Sequence, residues 1–279
     1  MARWMIENGS DIHQGGDGPL MRAALVSYRL PMMELLLSYG ADVNAEWAER
    51  FPIIFAPCET VEPIPLKWLL DHGANPNCAR AGQPKTALDY VIATYSRSPQ
   101  LSECIEILLQ AGGKTRWNIP PLLDLLRNRL DSFAAHLDRD PELVHRRFPE
   151  FEFGSAGARR LTLEGATMLH VAAEYGNVDA ARLLLDRGAD VNACADVDAQ
   201  GVGGQTPIFH PATQISNFGL PMMELLIIRG ADLNVRTRLP GHYERPDEVV
   251  ECTPAEYATL FPGKESDTVS YLRRAAARN

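Results

Sequence analysis

No apolar run in the sequence approaches the roughly 20 residues that a membrane-spanning helix needs, so a membrane-embedded chain is not expected and a soluble one is. The amino terminus, MARWMIENGSD, lacks an apolar stretch followed by a small-residue cleavage site, which leaves export by that route without support. Cys58, Cys78, Cys104, Cys194 and Cys252 are odd in number, scattered, and never form C-x-x-C. They read as reduced thiols in a cytoplasm, mostly small core residues, and not as a disulfide framework. Positive charge is short: 27 Lys and Arg face 36 Asp and Glu, for a net charge of -9. Binding to nucleic acid, which needs a basic face, is therefore not expected. H-E-x-x-H, G-x-S-x-G, a G-x-G-x-x-G following a strand, and G-x-x-x-x-G-K-[ST] are all missing. His72, His136 and His145 have no partner at metal-ligand spacing. No catalytic residue, metal or cofactor is expected. Nor is there a Gly/Ser linker or low-complexity tract at which to divide the chain, so 1–279 reads as a single elongated domain and a monomer.

What the sequence does have is punctuation. In residues 165–193, GATMLHVAAEYGNVDAARLLLDRGADVNA, Thr167 suits a helix cap and Leu169, Ala172 and Ala173 give a narrow apolar stripe. Gly176 breaks that helix, and Val178, Ala181, Leu184 and Leu185 recur at helical spacing until Gly188, where a left-handed residue ends the second helix. Neither short helix buries its stripe alone. The stretch resembles the ankyrin repeat, whose motif runs G-x-T-P-L-H-x-A-A-x-x-G and then L-L-x-x-G-A-D-x-N, and lacks chiefly the Pro.

The resemblance extends over nearly the whole chain and implies an all-α ankyrin-repeat solenoid of stacked helix-turn-helix units with long inter-repeat fingers. Residues 1–12 read as a second helix and its closing turn, an opening half-repeat. Seven two-helix units follow at 13–44, 45–77, 78–115, 116–148, 165–193, 206–234 and 253–279. The segment LPMMELLLSYGADVN at 30–44 returns as LPMMELLIIRGADLN at 220–234, identical at eleven of its fifteen positions. The separation of the two copies is not a multiple of about 33 residues, so the array between them is irregular. The unit at 116–148 is degenerate, with Asp140-Pro141-Glu142-Leu143-Val144-His145 standing where Gly-Ala-Asp-x-Asn is expected. Two prolines break the local rules: Pro57, about six residues into an imperfect first helix, and Pro211, which follows an orthodox Thr206-Pro207 start and must kink or end its helix.

Three long fingers occupy 149–164, 194–205 and 235–252. Around the first and third stand Arg146, Arg147, Arg159, Arg160, Arg236, Arg238 and Arg245. They read either as a local basic patch or as a mixed surface neutralised by Glu150, Glu152, Glu244, Asp247 and Glu248. Gly201-Val202-Gly203-Gly204 reads as a flexible finger and not as a phosphate loop, because no strand precedes it. By the ankyrin motif, His170 hydrogen-bonds within and between repeats and is structural.

Membership of such a family implies a non-enzymatic protein–protein interaction module that takes another protein on its concave face and fingers. Residue-by-residue alignment with the motif puts the variable, partner-binding positions at Trp47, Arg50, Lys85, Tyr95, Glu174, Tyr175 and Gln214, joined by His242, Tyr243 and Arg245 of the nonstandard loop 242–245. An exposed Trp47 buries a large area on binding; alternatively it folds against the imperfect helix at 51–58. A rival reading places a small-molecule or catalytic pocket under the third finger, built from His210, His242, Tyr243 and Glu244. The loop holding the last three also has a plain alternative, packing back on the last repeat.

Overall fold

The computed structural model describes all residues except 49–50, 80–84, 95, 155–159, 215–216, 243, 246, 262–266 and 278–279. The chain divides into two compact units, Met1–Asn118 and Ile119–Asn279.

In the first unit, α1 (Ala2–Glu7) is followed by three helix pairs. These are α2 (Gln14–Ala23) with α3 (Leu30–Ser38), α4 (Phe55–Thr60) with α5 (Pro63–Asp71), and α6 (Ala87–Ile92) with α7 (Leu101–Gln110). A hairpin of β1 (Glu46–Trp47) and β2 (Phe51–Pro52) joins the first two pairs, with Trp47 opposite Phe51. Each helix is too short to be stable alone, and packing of one apolar face supplies what propensity does not. Leu20, Met33, Ile53, Leu66, Leu88 and Ile105 are all fully buried in that packing. Thr86 caps α6 in a reciprocal box: its hydroxyl accepts from Asp89 N while the Asp89 carboxylate accepts from Thr86 N. The other Asp89 oxygen accepts from Thr115 Oγ1 at 2.7 Å and Arg116 N at 3.0 Å, so one buried carboxylate ties the start of α6 to the segment after α7.

The second unit holds four pairs. They are α8 (Pro120–Leu126) with α9 (Leu130–Arg139), α10 (Met168–Tyr175) with α11 (Val178–Asp186), α12 (Phe209–Ala212) with α13 (Leu220–Ile228), and α14 (Pro254–Ala258) with α15 (Asp267–Ala276). A 3-10 turn at Pro141–Val144 replaces the usual turn after α9, as its divergent sequence implies. Gly176 caps α10 in the left-handed region at φ +69, and a Cβ there would lie 2.7 Å from the Phe218 ring. Glycine is thus required for space as well as for conformation.

One stitch recurs at the junctions. Asn44 Nδ2 donates to Gly73 O at 3.0 Å while its Oδ1 accepts from Asn75 N at 2.8 Å. Asn77 makes the same pair of bonds with Gly112 O and Lys114 N, and Asn192 with Gly230 O and Asp232 N. Asn44, Asn77 and Asn192, each the last residue of its turn, are therefore bonded to the turn one repeat on.

Both irregular prolines fall in first turns. Helix α4 starts at Phe55, not near residue 51, because residues 51–52 belong to β2; Pro57 is then its third residue. Pro211 is likewise the third residue of α12, which starts at Phe209 instead of following directly on Thr206. An amide at that position has no intrahelical acceptor, so neither proline breaks a helical hydrogen bond. Pro207 O, the carbonyl four residues before Pro211, accepts from His210 N at 3.2 Å. The cost falls on Thr206: with the helix starting late, its buried hydroxyl has no hydrogen-bond partner among the described residues.

Candidate interaction surfaces

In the first unit the sequence QGGDGP forms the floor for one side chain. Gly15, Gly16 and Asp17 are left-handed, at φ +68, +76 and +54, so the regular part of α2 begins only at Gly18. The strand β1 lies directly on this stretch. A Cβ on Gly16 would sit 2.2 Å from Glu46 O, one on Gly18 3.2 Å from Trp47 Cδ1, and one on Gly15 3.6 Å from Trp47 Nε1. Ala48 N donates to Gly15 O at 2.8 Å, with Ala48 itself left-handed at φ +52. Asp17, almost completely buried, accepts from Asp42 N at 2.9 Å and meets His13 Nδ1 at 2.6 Å. Trp47 thus rests on glycine backbone and stands opposite Phe51 in the hairpin. It remains 37% exposed and forms one wall of an open groove of about 430 Å³, lined also by Met21, Leu25, Phe51, Glu59 and Tyr90. Left-handed residues other than glycine are costly, and two of them, Asp17 and Ala48, stand here beside one exposed aromatic.

The second unit contradicts two surface assignments. Glu174 is 0% exposed and Gln214 7%. His210 Nδ1 donates to Glu174 Oε2 at 2.8 Å, and Gln214 Nε2 donates to Glu174 O at 3.0 Å. The motif places these positions on the surface of a regular repeat. Here the short α12 and its extended bend bring His210 and Gln214 over the end of α10 and close it off. His210 is likewise 0% exposed, so it cannot share an accessible pocket with His242 and Glu244. Those two pair with each other at 3.7 Å, and the His242 ring stacks on Phe261 with centroids 6.1 Å apart.

Beside this pair, His170 is buried with both ring nitrogens used: Nδ1 accepts from Thr167 N at 3.2 Å, and Nε2 donates to Gln205 O at 3.0 Å. Burial, and next the adjacent His210, pull its pKa down to about 3. A neutral imidazole that bridges Thr167 to the next connection is structural, in keeping with the role the motif implies.

The fingers form a folded layer. Phe148 and Phe151 stack at 4.6 Å, Phe151 and Phe153 meet at a tilt with centroids 5.1 Å apart, and Leu161 and Leu163 are also buried. Residues 195–205 fold back on themselves, with Ala195 N bonded to Gln205 O and Val197 bridged to Gly203. Gly203 N then donates to Arg238 O at 2.8 Å. Arg238 belongs to β5 (Thr237–Pro240), paired antiparallel with β6 (Val249–Cys252). Gly203 has φ +122 and a Cβ on it would lie 2.3 Å from Asp196 O, so these glycines fit a close backbone approach and not a loose tether. The arginines are largely matched by acids. Arg146 meets Asp140 at 2.6 Å, Arg147 meets Asp196 at 2.8 Å, Arg236 meets Glu256 at 3.0 Å and Arg245 meets Glu248 at 2.8 Å. The mixed surface is what forms, although of the acids named from the sequence only Glu248 supplies one of these pairs.

Of the remaining candidates, Lys85, Tyr175 and His242 are half-buried and Arg245 is exposed. Arg50, Tyr95, Tyr243 and Arg159 lie outside the described residues. Phe51, Glu59 and Tyr90 were not among the sequence candidates; the only sequence signal for their groove was the G-G-D-G cluster facing an exposed tryptophan.

The model of three ankyrin repeats matches residues 132–237, and that of the single ankyrin repeat matches 15–47. The chain is an ankyrin-repeat protein. This ankyrin-repeat protein is 32% identical over 139 residues to the mouse B-cell lymphoma 3 protein homolog, a match covering 49% of the chain and 27% of that relative. The chain thus spans about a quarter of that relative's length. Among solved structures, the human ASB11 ankyrin repeat domain is 22% identical, covering 92% of this chain and 97% of that one, with a TM-score of 0.42. A chain of the complex between a predatory endopeptidase from Bdellovibrio bacteriovorus and an immunity protein is 18% identical, with coverage of 93% and 98% and a TM-score of 0.37. Ankyrin repeats are generally non-enzymatic modules of protein–protein interaction. No helix among the described residues is long and apolar enough to cross a membrane.

Proposed function

We propose that this protein is a non-catalytic, cytoplasmic binding module that holds a protein partner in the groove walled by Trp47, with the finger layer of the second unit as an additional contact surface. The observation that carries the reading is the support under Trp47. Three glycines and two left-handed non-glycine residues hold a partly exposed indole in one position, although its exposure forfeits the gain that burial would bring. A rigid, amphipathic side chain that loses little freedom on binding is the usual form of an interface anchor. The net charge of -9 favours protein over nucleic acid as the partner.

The test is capture from a lysate of the native host, with bound proteins quantified for the natural chain, for Trp47→Ala, and for Tyr28→Ala as a control at an exposed aromatic elsewhere. The expected result is a specific partner retained by the natural chain and by Tyr28→Ala and lost by Trp47→Ala, with all three melting within a few degrees of one another. An unchanged set of bound proteins for Trp47→Ala would refute the reading.

A further inference from the structure

The same groove contains a carboxylate. Glu59, near the end of α4, lines it with Trp47, Phe51 and Tyr90, and the side chain is half-buried. Among the described residues the Glu59 side chain makes no ion pair and no hydrogen bond. Elsewhere the protein satisfies its partly buried carboxylates: Asp17 has His13 and Asp42, Asp89 has Thr115 and Arg116, Asp124 has His136, and Glu62 has Ser27. A half-desolvated carboxylate with no counterion costs free energy in the unbound protein. None of the described residues that line the groove is basic.

Aromatic faces carry negative charge at their centres and attract cations, most strongly when water is excluded. A groove lined by an indole, a phenyl and a phenol ring, with one uncompensated carboxylate, therefore complements an alkyl chain that ends in a positive charge. The apolar walls at Met21 and Leu25 suit the methylene stem, and the rings and Glu59 suit the head. We infer that the Trp47 groove is a subsite for a basic side chain, lysine or arginine, presented by the protein partner. The inference rests on the binding-module reading and deepens it by naming the chemistry of the residue received. The carboxylate gives selectivity, because a neutral residue of the same shape would leave Glu59 buried and unpaired in the complex.

The experiment titrates the intact chain with N-acetyl-lysine methylamide, N-acetyl-arginine methylamide and the neutral isostere N-acetyl-norleucine methylamide. The readout is the indole Nε1–H resonance of Trp47, assigned by its disappearance in Trp47→Phe. Saturable shifts are expected with lysine or arginine and not with norleucine. Glu59→Gln is expected to weaken the basic probe by about tenfold, whereas Glu103→Gln, exposed on α7, changes nothing. Equal shifts from norleucine, no shift from any probe, or an unchanged affinity in Glu59→Gln would each overturn the inference. The two readings fail separately. Partner capture lost in Trp47→Ala but intact in Glu59→Gln keeps the module and removes the basic residue; capture intact in Trp47→Ala removes the module, whatever the titration shows.

Discussion

His210 Nδ1 lies 2.8 Å from Glu174 Oε2, and both side chains are wholly shut off from solvent. The corresponding position in Phe55-Ala56-Pro57-Cys58 is alanine, so the first helix of this repeat type folds without the histidine. The pair is an addition to the scaffold, and its two members depend on each other.

Glu174→Ala strands a buried donor on His210 and removes the second, longer acceptor of Gln214 Nε2, Glu174 Oε1 at 3.4 Å, while leaving the backbone one. A loss of about 3 kcal/mol is expected, with a comparable loss for His210→Ala. The double variant is expected to lose less than the sum, by about 1–3 kcal/mol. Urea unfolding of all four proteins measures the coupling, and additivity would show that the two residues act independently.

His170 adds a pH dependence whose sign is fixed. Its folded pKa, about 3, lies below the ordinary value of 6.5, so between those limits the unfolded chain binds the extra proton. Stability from this group is complete above pH 6.5 and lost as pH falls toward 3, on the order of 2 kcal/mol by pH 5. Unfolding free energies at pH 7 and pH 5 are expected to differ less in His170→Gln than in the natural protein. Equal differences would assign the acid sensitivity to other groups.

Gly16→Ala tests the floor under Trp47. The new methyl would lie 2.2 Å from Glu46 O, a backbone atom that moves only if β1 moves. A loss of at least about 2 kcal/mol is expected, together with a red shift in Trp47 emission, which Trp47→Phe would identify by difference. A stable variant with unchanged emission would mean that β1 is not pressed onto α2.

Because Pro211 stands in a first turn, its replacement has no broken hydrogen bond to repair. Pro211→Ala is expected to lower stability slightly, by up to about 1 kcal/mol, through the freer unfolded chain. Calorimetric melting decides it, and a clear rise in Tm would restore the strained helix expected from the sequence.

Thiol reactivity is expected to follow burial. Cys194 is exposed, whereas burial pushes Cys78 up to about 11 and Cys104 and Cys252 up to about 12, and raises Cys58 well above its ordinary value. Under native conditions at pH 8, iodoacetamide is expected to modify Cys194 first, as read by peptide mapping. Early labelling of Cys58 would report local opening of α4.

The repeats were legible because their marks are local. Thr167, Gly176 and Gly188 bound α10 and α11 where the spacing puts them, and both LPMMELL segments form the helices expected. The burial of Glu174 was not legible, since it depends on a bend contributed by the next repeat, some 40 residues on. The floor under Trp47 was hidden for a similar reason: a glycine cluster signals a turn, but the strand that presses on it arrives some 30 residues later. The finger layer is missed by any reading of one finger at a time, because Gly203 meets Arg238 only once two connections lie side by side.

The asparagine stitch has a consequence for how such a chain changes in evolution. Asn44, Asn77 and Asn192 bond to backbone groups of the following turn, and those bonds start and end in turns that close second helices. The connecting segment between one turn and the next first helix contributes none of these atoms. Its length is therefore free of the register between neighbours, and a connection can grow from the two-strand hairpin at 46–52 into the folded loop at 195–205 while the junction keeps the same two hydrogen bonds. New surface can accumulate on one edge of the stack without any change in how the repeats are fastened together.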